Sequence, residues 1–383
     1  MRIIYYNPVI NEPIGAGSHG RGLARALERA GHVVRTIPAI VASSGAKRES
    51  AGRFESVPEW LKLPARDVRG RVRALRGASK VAAAAKEFEP DLVIVRRAPY
   101  DYVLPRVLGS ISCPVIAECN GIAAVECRAY YGQTTLPWER HAEERYFLGA
   151  DACVAITDEV AIELKRIGVA EDRIWVIHNG VDAELFSAEG DVDPEVEQWR
   201  RSFECVVGYC AKVSPLHDLE TVARAVNEIA SSRPKVGFLF VGPTTADIVA
   251  AGVDPQIAQE RCLCVGLVRH TRVASLLRGS DLYWAALCNS HGSPLKVFEY
   301  LALGHPIVMA ATGSGVLPII EAGAGAVVDR GDAPALRAAV LRRVDDEELR
   351  RSESRQAVEW ANRFGSWDRV AERLLDGAQE LVR

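Results

Sequence analysis

The chain has 383 residues, 48 % of them apolar, and a formal net charge of −3. It is too long for one comfortable core, and its composition is globular, neither disordered nor fibrous. The slight acidity and the lack of any recognition motif exclude a dedicated nucleic-acid binder, no apolar run reaches the roughly 18 residues of a membrane span, and nine cysteines without close ligand spacing read as reduced cytoplasmic thiols.

In chain order, Ile3 to Tyr6 reads as a strand met at once, so no secretory leader is expected. Gly22 to Ala30 reads as a helix closed by Gly31, and His32 to Ile37 as the next strand. Residues 61–80 carry seven basic residues and one acidic residue. Arg66, Arg69, Arg73, Arg76 and Lys80 recur at three- or four-residue intervals and share a helix face. A solvated face is the plain reading of that stripe; peripheral membrane contact or an anionic acceptor is the sharper one. Its apolar positions look too sparse for a dedicated membrane helix.

Val81 to Phe88 is an Ala-rich helix broken by Pro90, and Leu92 to Val95 a buried parallel strand. Pro114 to Glu118, Ala152 to Ile156 and Ile174 to Ile177 continue the pattern. Ser187 to Ser202 is acidic, lacks a periodic face and reads as a linker. A second α/β unit follows, with strands at Val206–Tyr209, Gly237–Val241, Cys262–Val265, Leu282–Ala285, Pro306–Met309 and Gly325–Val328.

Three places carry chemistry. From His291 to Gly304 a Gly/Ser/Pro loop runs into a helix with Lys296 and Glu299 three residues apart. Free N–H groups and a partial positive charge at a helix start, with one Lys added, suit a diphosphate. Glu299, one turn on, suits the hydroxyl pair of a ribose. Lys212, after the first strand of the second unit, adds another certain positive charge, and His217 adds a third if protonated. Glu118, Asn120 and the nearby Glu126 follow a strand end, where open α/β sheets place ligands, and read as acceptor or sugar-hydroxyl contacts. Arg96 and Arg97 also follow a strand, and one of them is expected to meet the acceptor. Gly15-Ala16-Gly17-Ser18-His19-Gly20 spells the dinucleotide fingerprint, but eight residues separate it from the strand and no acidic residue ends the second strand. A close backbone approach or a plain tight turn are the remaining readings.

The 291–304 stretch resembles the donor-binding segment of family 4 retaining glycosyltransferases, as do the Gly-rich turn with His19 and the run Asn179-Gly180-Val181-Asp182 with Phe186. The resemblance covers nearly the whole chain and is weakest at 40–85. It implies the GT-B fold: two Rossmann-like α/β domains facing an interdomain cleft. The expected domains are 1–190 on the acceptor side, with a C-terminal helix 365–383 crossing back onto it, and 203–360 for the nucleotide sugar. Trp360, Phe364 and Trp367 would anchor that crossing.

The activity implied is metal-independent transfer of a hexose-like group from a nucleoside diphosphate sugar to a hydroxyl of a small-molecule or lipid-linked acceptor, without a cofactor. The cell compartment implied is the cytoplasm, at most peripheral to the inner membrane. Donor binding falls to Gly15, Gly17, Lys212, His217, Val268, Ser293, Leu295, Lys296 and Glu299, with His270 capping the base. Acceptor binding falls to His19, Arg96, Glu118, Asn120 and Glu126. Lys212, Lys296, Glu118, Asn120 and His291 are the candidate catalytic residues. Relatives usually place Glu at 291, Arg at 212 and Lys at 217, so this chain departs at all three. An epimerase or phosphorylase on the same scaffold, or a nucleotide-sugar binder without activity, are the rival readings.

Overall fold

The computed structural model describes residues 1–12, 15–38, 59–97, 104–130 and 137–382. It divides into two compact units, Met1–His178 with Val370–Arg383, and Asn179–Arg369.

The first unit holds a six-stranded parallel sheet in the order β2-β1-β3-β4-β5-β6. Its strands are β1 (Arg2–Tyr6), β2 (Val33–Ile37), β3 (Leu92–Arg96), β4 (Val115–Cys119), β5 (Ala152–Ala155) and β6 (Ile174–Val176). β3 and β4 are buried at every residue, as expected for strands covered on both faces. The helices used below are α1 (Gly15–Arg29), α2 (Glu59–Phe88), α3 (Ala123–Tyr130), α4 (Pro137–Leu148) and α5 (Asp158–Ile167).

The second unit holds another six-stranded parallel sheet, ordered β12-β11-β10-β7-β8-β9. Its strands are β7 (Cys205–Cys210), β8 (Val236–Val241), β9 (Cys262–Gly266), β10 (Leu282–Ala286), β11 (Ile307–Ala310) and β12 (Gly325–Val328). Its principal helices are α6 (Leu219–Ser232), α7 (His270–Leu277), α8 (Leu295–Leu303) and α9 (Glu347–Phe364), followed by the terminal α10 (Trp367–Val382). Aromatic stacking fills this core: the Tyr283 and Tyr300 ring centroids lie 4.4 Å apart, and Phe238 stacks on Trp284. In each sheet two strands that neighbour each other in space send their connections in opposite directions: β1 and β3 in the first, β7 and β10 in the second. The carboxyl ends of such pairs form the crevice in which α/β sheets take ligands.

Strand positions agree with the sequence pattern to within a residue or two, whereas three other expectations change. The Gly-rich turn is not a loop: α1 begins at Gly15 itself. The helix expected from Val81 starts at Glu59, because the basic stripe continues its periodicity. The side chains of Arg66, Arg69 and Arg73 lie outside the described residues. The supposed linker also contains a helix, Pro194–Arg200, capped by Asp193 and buried at Val196 against the second core.

The signature around Val181 joins the end of α9: Val181 N donates to Gly365 O and Trp367 N donates to Val181 O. Trp367 is buried, Trp360 packs near Phe298, and Phe364 remains half-exposed with its ring 5.8 Å from that of Trp360. Further along α10, Gly377 lies against the Trp175 ring, where a Cβ would approach within 2.9 Å, and Arg373 donates to Val176 O.

Candidate functional site

In the second unit the loops after β7 and β10 are tied together. Asp218 N donates to Ala286 O, Cys288 N donates to Leu216 O, and His217 forms a bridge with Leu287. Asp218 then caps α6 by accepting from Thr221 N and Thr221 Oγ1. The loop after β10 is held from two sides. Asn179 donates through its backbone N to Ser293 Oγ and through Nδ2 to Ser293 O. Gly313 and Gly315 press against its backbone, where a Cβ would lie 2.1 Å from Ser290 O and 2.0 Å from Gly292 O. Gly313 also has a φ of 99°. That glycine pair therefore serves close packing against residues 290–293.

This fixed loop delivers the start of α8. Pro294 is its N-cap, no side chain caps it, and no acidic residue lies in its first turn. The N-terminal amides, including that of Leu295, carry their partial positive charge without a side-chain acceptor.

Lys296 lies one position into the helix and is buried, yet its Nζ has no hydrogen-bond partner among the described residues. It sits 5.8 Å from the centroid of the Tyr209 ring. Burial pushes its pKa down to about 8, against the opposing influence of Cys210 and Glu299. An unpaired buried ammonium is costly unless an anion answers it. Lys212 is exposed at the rim of the same loops.

Glu299 is buried and its Oε1 pairs with His270 Nε2 at 2.7 Å. The His270 ring in turn rests against Phe186, 5.1 Å between centroids. The expectation for His270 thus changes: here it answers Glu299, a partnership that a 29-residue separation hides in the sequence. Val268 packs on the second core at the end of β9. His291 is half-buried, its N donating to Asn289 Oδ1 and its Nδ1 3.3 Å from Ser290 Oγ.

The expectation of a charged His217 meets the opposite environment. Burial first, then the charge of Lys296, pushes its pKa down to about 3, and the bond to Lys212 O only partly offsets this. Nδ1 donates to Lys212 O at 2.8 Å and lies 3.1 Å from Ser214 Oγ. The imidazole is neutral and serves the loop's own backbone.

In the first unit Glu118 is next to last in β4, beside Arg96 of β3, its partner in register. Glu118 is 2 % exposed, and both oxygens are engaged: Oε1 with His19 Nε2, and Oε2 with the Tyr5 hydroxyl, which donates at 2.8 Å. Asn7 Nδ2 donates to the same hydroxyl. Burial raises the carboxyl's pKa, but His19, Arg96 and Tyr5 together outweigh it and hold the group at about 2. The sequence reading missed Tyr5 and Asn7, although two polar side chains at a strand's carboxyl end are a usable signal.

Asn120 has an Nδ2 without a partner among the described residues, and the Glu126 carboxylate lies over Gly121. Arg97 pairs with Glu143 at 2.6 Å, while Glu143 accepts from Ala123 N and Ala124 N at the start of α3. That pairing spends Arg97 on structure. Gly17 has a structural cause as well, since a Cβ there would lie 2.0 Å from Glu12 O. Among the described residues no cluster of His, Cys, Asp and Glu could hold a metal ion, and no helix is long and apolar enough to cross a membrane.

A family model described as Glycosyltransferase Family 4 matches residues 14–185, and one described as Glycosyl transferases group 1 matches residues 204–346. A D-inositol 3-phosphate glycosyltransferase of Thermomonospora curvata is 29 % identical over 294 residues, covering 70 % of this chain and 67 % of that protein. One from Segniliparus rotundus is 24 % identical over 285 residues, covering 71 % and 62 %. The match thus spans about two thirds or less of these relatives' length. Among solved structures, sucrose-phosphate synthase from Thermosynechococcus elongatus aligns with a TM-score of 0.77 at 17 % identity, covering 100 % of this chain and 99 % of that one. Anabaena HepE in complex with UDP and glucose aligns at 0.69 and 17 % identity, covering all of both chains.

Proposed function

Since the chain belongs to the family 4 glycosyltransferases of the GT-B fold, we propose that it moves a sugar from a nucleoside diphosphate sugar to a hydroxyl of a small-molecule or lipid-linked acceptor, with retention at the anomeric carbon. The observation that carries this reading is Lys296: a buried ammonium with no hydrogen-bond partner among the described residues, at the uncapped start of α8, beside the β7/β10 crevice. A diphosphate there would satisfy the ammonium and the helix amides together. The names of the relatives and the UDP and glucose held by HepE agree with that donor class.

In this scheme the bond from the anomeric carbon to the diphosphate oxygen breaks and the acceptor oxygen bonds to that carbon. The acceptor proton passes to a departing phosphate oxygen. Lys296, Lys212 and the α8 amides of Leu295 and its neighbours stabilise the charge that grows on the diphosphate. Ser293 and His217 line its loop. Glu299 exchanges His270 for the ribose hydroxyls, with Val268 beside the base and His291 near the transferred sugar. In the first unit, Asn120, with its unanswered amide, and Glu126 contact the acceptor. Glu118 acts as a positioning residue that fixes His19 and Arg96. Gly15 and Gly17 hold the α1 start. Nine unpaired cysteines suit a reducing cytoplasmic setting.

Calorimetric titration with uridine, guanosine, adenosine and thymidine diphosphate sugars tests the donor, and failure of a folded sample to bind any of them overturns the reading. NMR of the product anomer tests retention, and product analysis separates transfer from epimerisation and phosphorolysis. A second reading, donor binding without transfer, draws on the neutral His217 at the diphosphate loop. It requires tight donor binding with neither transfer nor hydrolysis across a panel of acceptors.

A further inference from the structure

Helix α8 follows the short loop Ser290-His291-Gly292-Ser293 and begins with neither a side-chain cap nor an acidic residue in its first turn. Such a start is loosely held unless something outside the helix fixes it. Gly313 and Gly315 back the loop on one side, and the hydrogen bonds to its last residue come from Asn179. Asn179 Nδ2 donates to Ser293 O at 2.5 Å, one residue ahead of the N-cap Pro294, and its backbone N donates to Ser293 Oγ at 3.3 Å. Both residues are buried. Asn179 is anchored in turn by the residues after it. Gly180 packs so closely that a Cβ would lie 2.8 Å from Trp367 N, and Val181 makes its backbone hydrogen bonds with Gly365 and Trp367. Asp182 Oδ1 closes the turn by accepting from Glu184 N and Leu185 N.

We infer that Asn179 is a positioning residue for the transfer reaction, an inference that rests on the diphosphate proposed for the α8 start. It acts through Ser293 in two ways. The bond to Ser293 O fixes the backbone from which the α8 amides and Lys296 project. The bond to Ser293 Oγ settles what that hydroxyl can do. A serine hydroxyl has one proton to donate and two lone pairs to accept with. One lone pair faces Asn179 N, and the proton has no acceptor among the described residues. The hydroxyl nearest in sequence to the α8 amides is thus engaged by Asn179, does not cap the helix, and keeps its proton for a ligand. A diphosphate at α8 would then meet open amides, the Lys296 ammonium and the Ser293 O–H together. The side chain at 179 has to be an amide for this. Leucine would fill the same space and leave the buried Ser293 O unanswered. Aspartate would set an acceptor against an acceptor.

The test is calorimetric titration of the full chain with the diphosphates of uridine, guanosine, adenosine and thymidine, beside melting temperatures. Asn179→Leu should weaken binding of the diphosphate that the parent takes by about 3- to 10-fold, the equivalent of one net hydrogen bond. Ser293→Ala spares the bond to Ser293 O. It should weaken that binding about tenfold and melt close to the parent. It carries the test where Asn179→Leu melts too low to titrate. The readout that separates positioning from folding is coupling to Lys296. In a Lys296→Met background, Asn179→Leu should cost less than about twofold, because the ammonium it would misplace is already gone. Equal losses in the two backgrounds would make Asn179 a structural residue and overturn the inference. Parent-like affinity in both Asn179→Leu and Ser293→Ala would overturn it too, while leaving the transferase reading in place. A folded parent that binds none of the four diphosphates would sink the transferase reading itself.

Discussion

The two units each bury an ionisable group, Glu118 near the carboxyl end of a strand and Lys296 at the start of a helix, and they treat it in opposite ways. In the first, Glu118 has every oxygen answered by His19 and Tyr5, with Arg96 beside it. In the second, Lys296 is also buried, but its Nζ has no hydrogen-bond partner among the described residues. A satisfied buried network contributes to folding and fixes geometry. An unsatisfied buried charge opposes folding, and its retention points to a ligand that completes it. Burial alone does not tell the two roles apart; the hydrogen-bond inventory does.

The largest effect expected from breaking this contrast is on the stability of the first unit. Glu118 is held at about 2 instead of the ordinary value near 4.5, which corresponds to about 3 kcal/mol. Because the folded value is depressed, that stability is present above pH ~4.5 and drains as pH falls toward ~2. Glu118→Gln should therefore lose about 3 kcal/mol near neutrality and flatten the acid limb of the unfolding profile. Thermal unfolding across that range checks it. A variant as stable as its parent, with weakened acceptor binding alone, would return Glu118 to the role of a substrate contact.

Lys296→Met is the mirror experiment. Turnover should fall about 10²–10³-fold, the usual loss for one charge-stabilising contact. Stability should not fall with it. The folded Lys296 sits at about 8 and the unfolded one near 10.4, so the parent gains stability as pH rises through that window. The methionine variant should lack that rise and be at least as stable at neutral pH. An unchanged kcat would show that Lys296 meets no leaving group.

Glu299→Gln lies between these cases, because its carboxylate already has a partner in His270. Donor affinity should drop about 10- to 150-fold, the range for one charged hydrogen bond. A 2′-deoxyribose donor should lose less in the variant than in the parent. Equal losses in both backgrounds would free Glu299 of any role at that hydroxyl.

How much of this was legible beforehand divides along the same physical line. Parallel strands are near-continuous apolar runs, so their positions stood out, as did Lys296 and Glu299 at a helix start. Long-range polar pairing did not. Nothing local couples Tyr5 to Glu118 across 113 positions or Asn179 to Ser293 across 114. The start of α1 was misplaced because glycine reads as turn, whereas Gly17 is there to let α1 approach Glu12 O.

The smallest effect is expected at His217, where the sequence pointed to a charged imidazole. In the folded protein that ring is neutral above pH ~4, its Nδ1–H committed to Lys212 O. Raising its pKa from about 3 to the ordinary 6.5 would require about 5 kcal/mol from the bound diphosphate. The same diphosphate would first be answered by Lys296, Lys212 and the α8 amides. Donor affinity of the parent should then be flat between pH ~5 and ~7, below the range in which Lys296 gives up its proton and after correction for the donor's own titration, since His217 carries no proton to lose there. His217→Gln, which keeps a donor for Lys212 O, should change affinity by no more than about threefold, within the ~0.5 kcal/mol of a neutral substitution. An affinity that declines as pH rises through that range in the parent, and loses the decline in the glutamine variant, would mean that the diphosphate does draw a proton onto His217. The ring would then belong with Lys296 among the groups completed by the ligand, and not with Glu118 among those the fold completes itself.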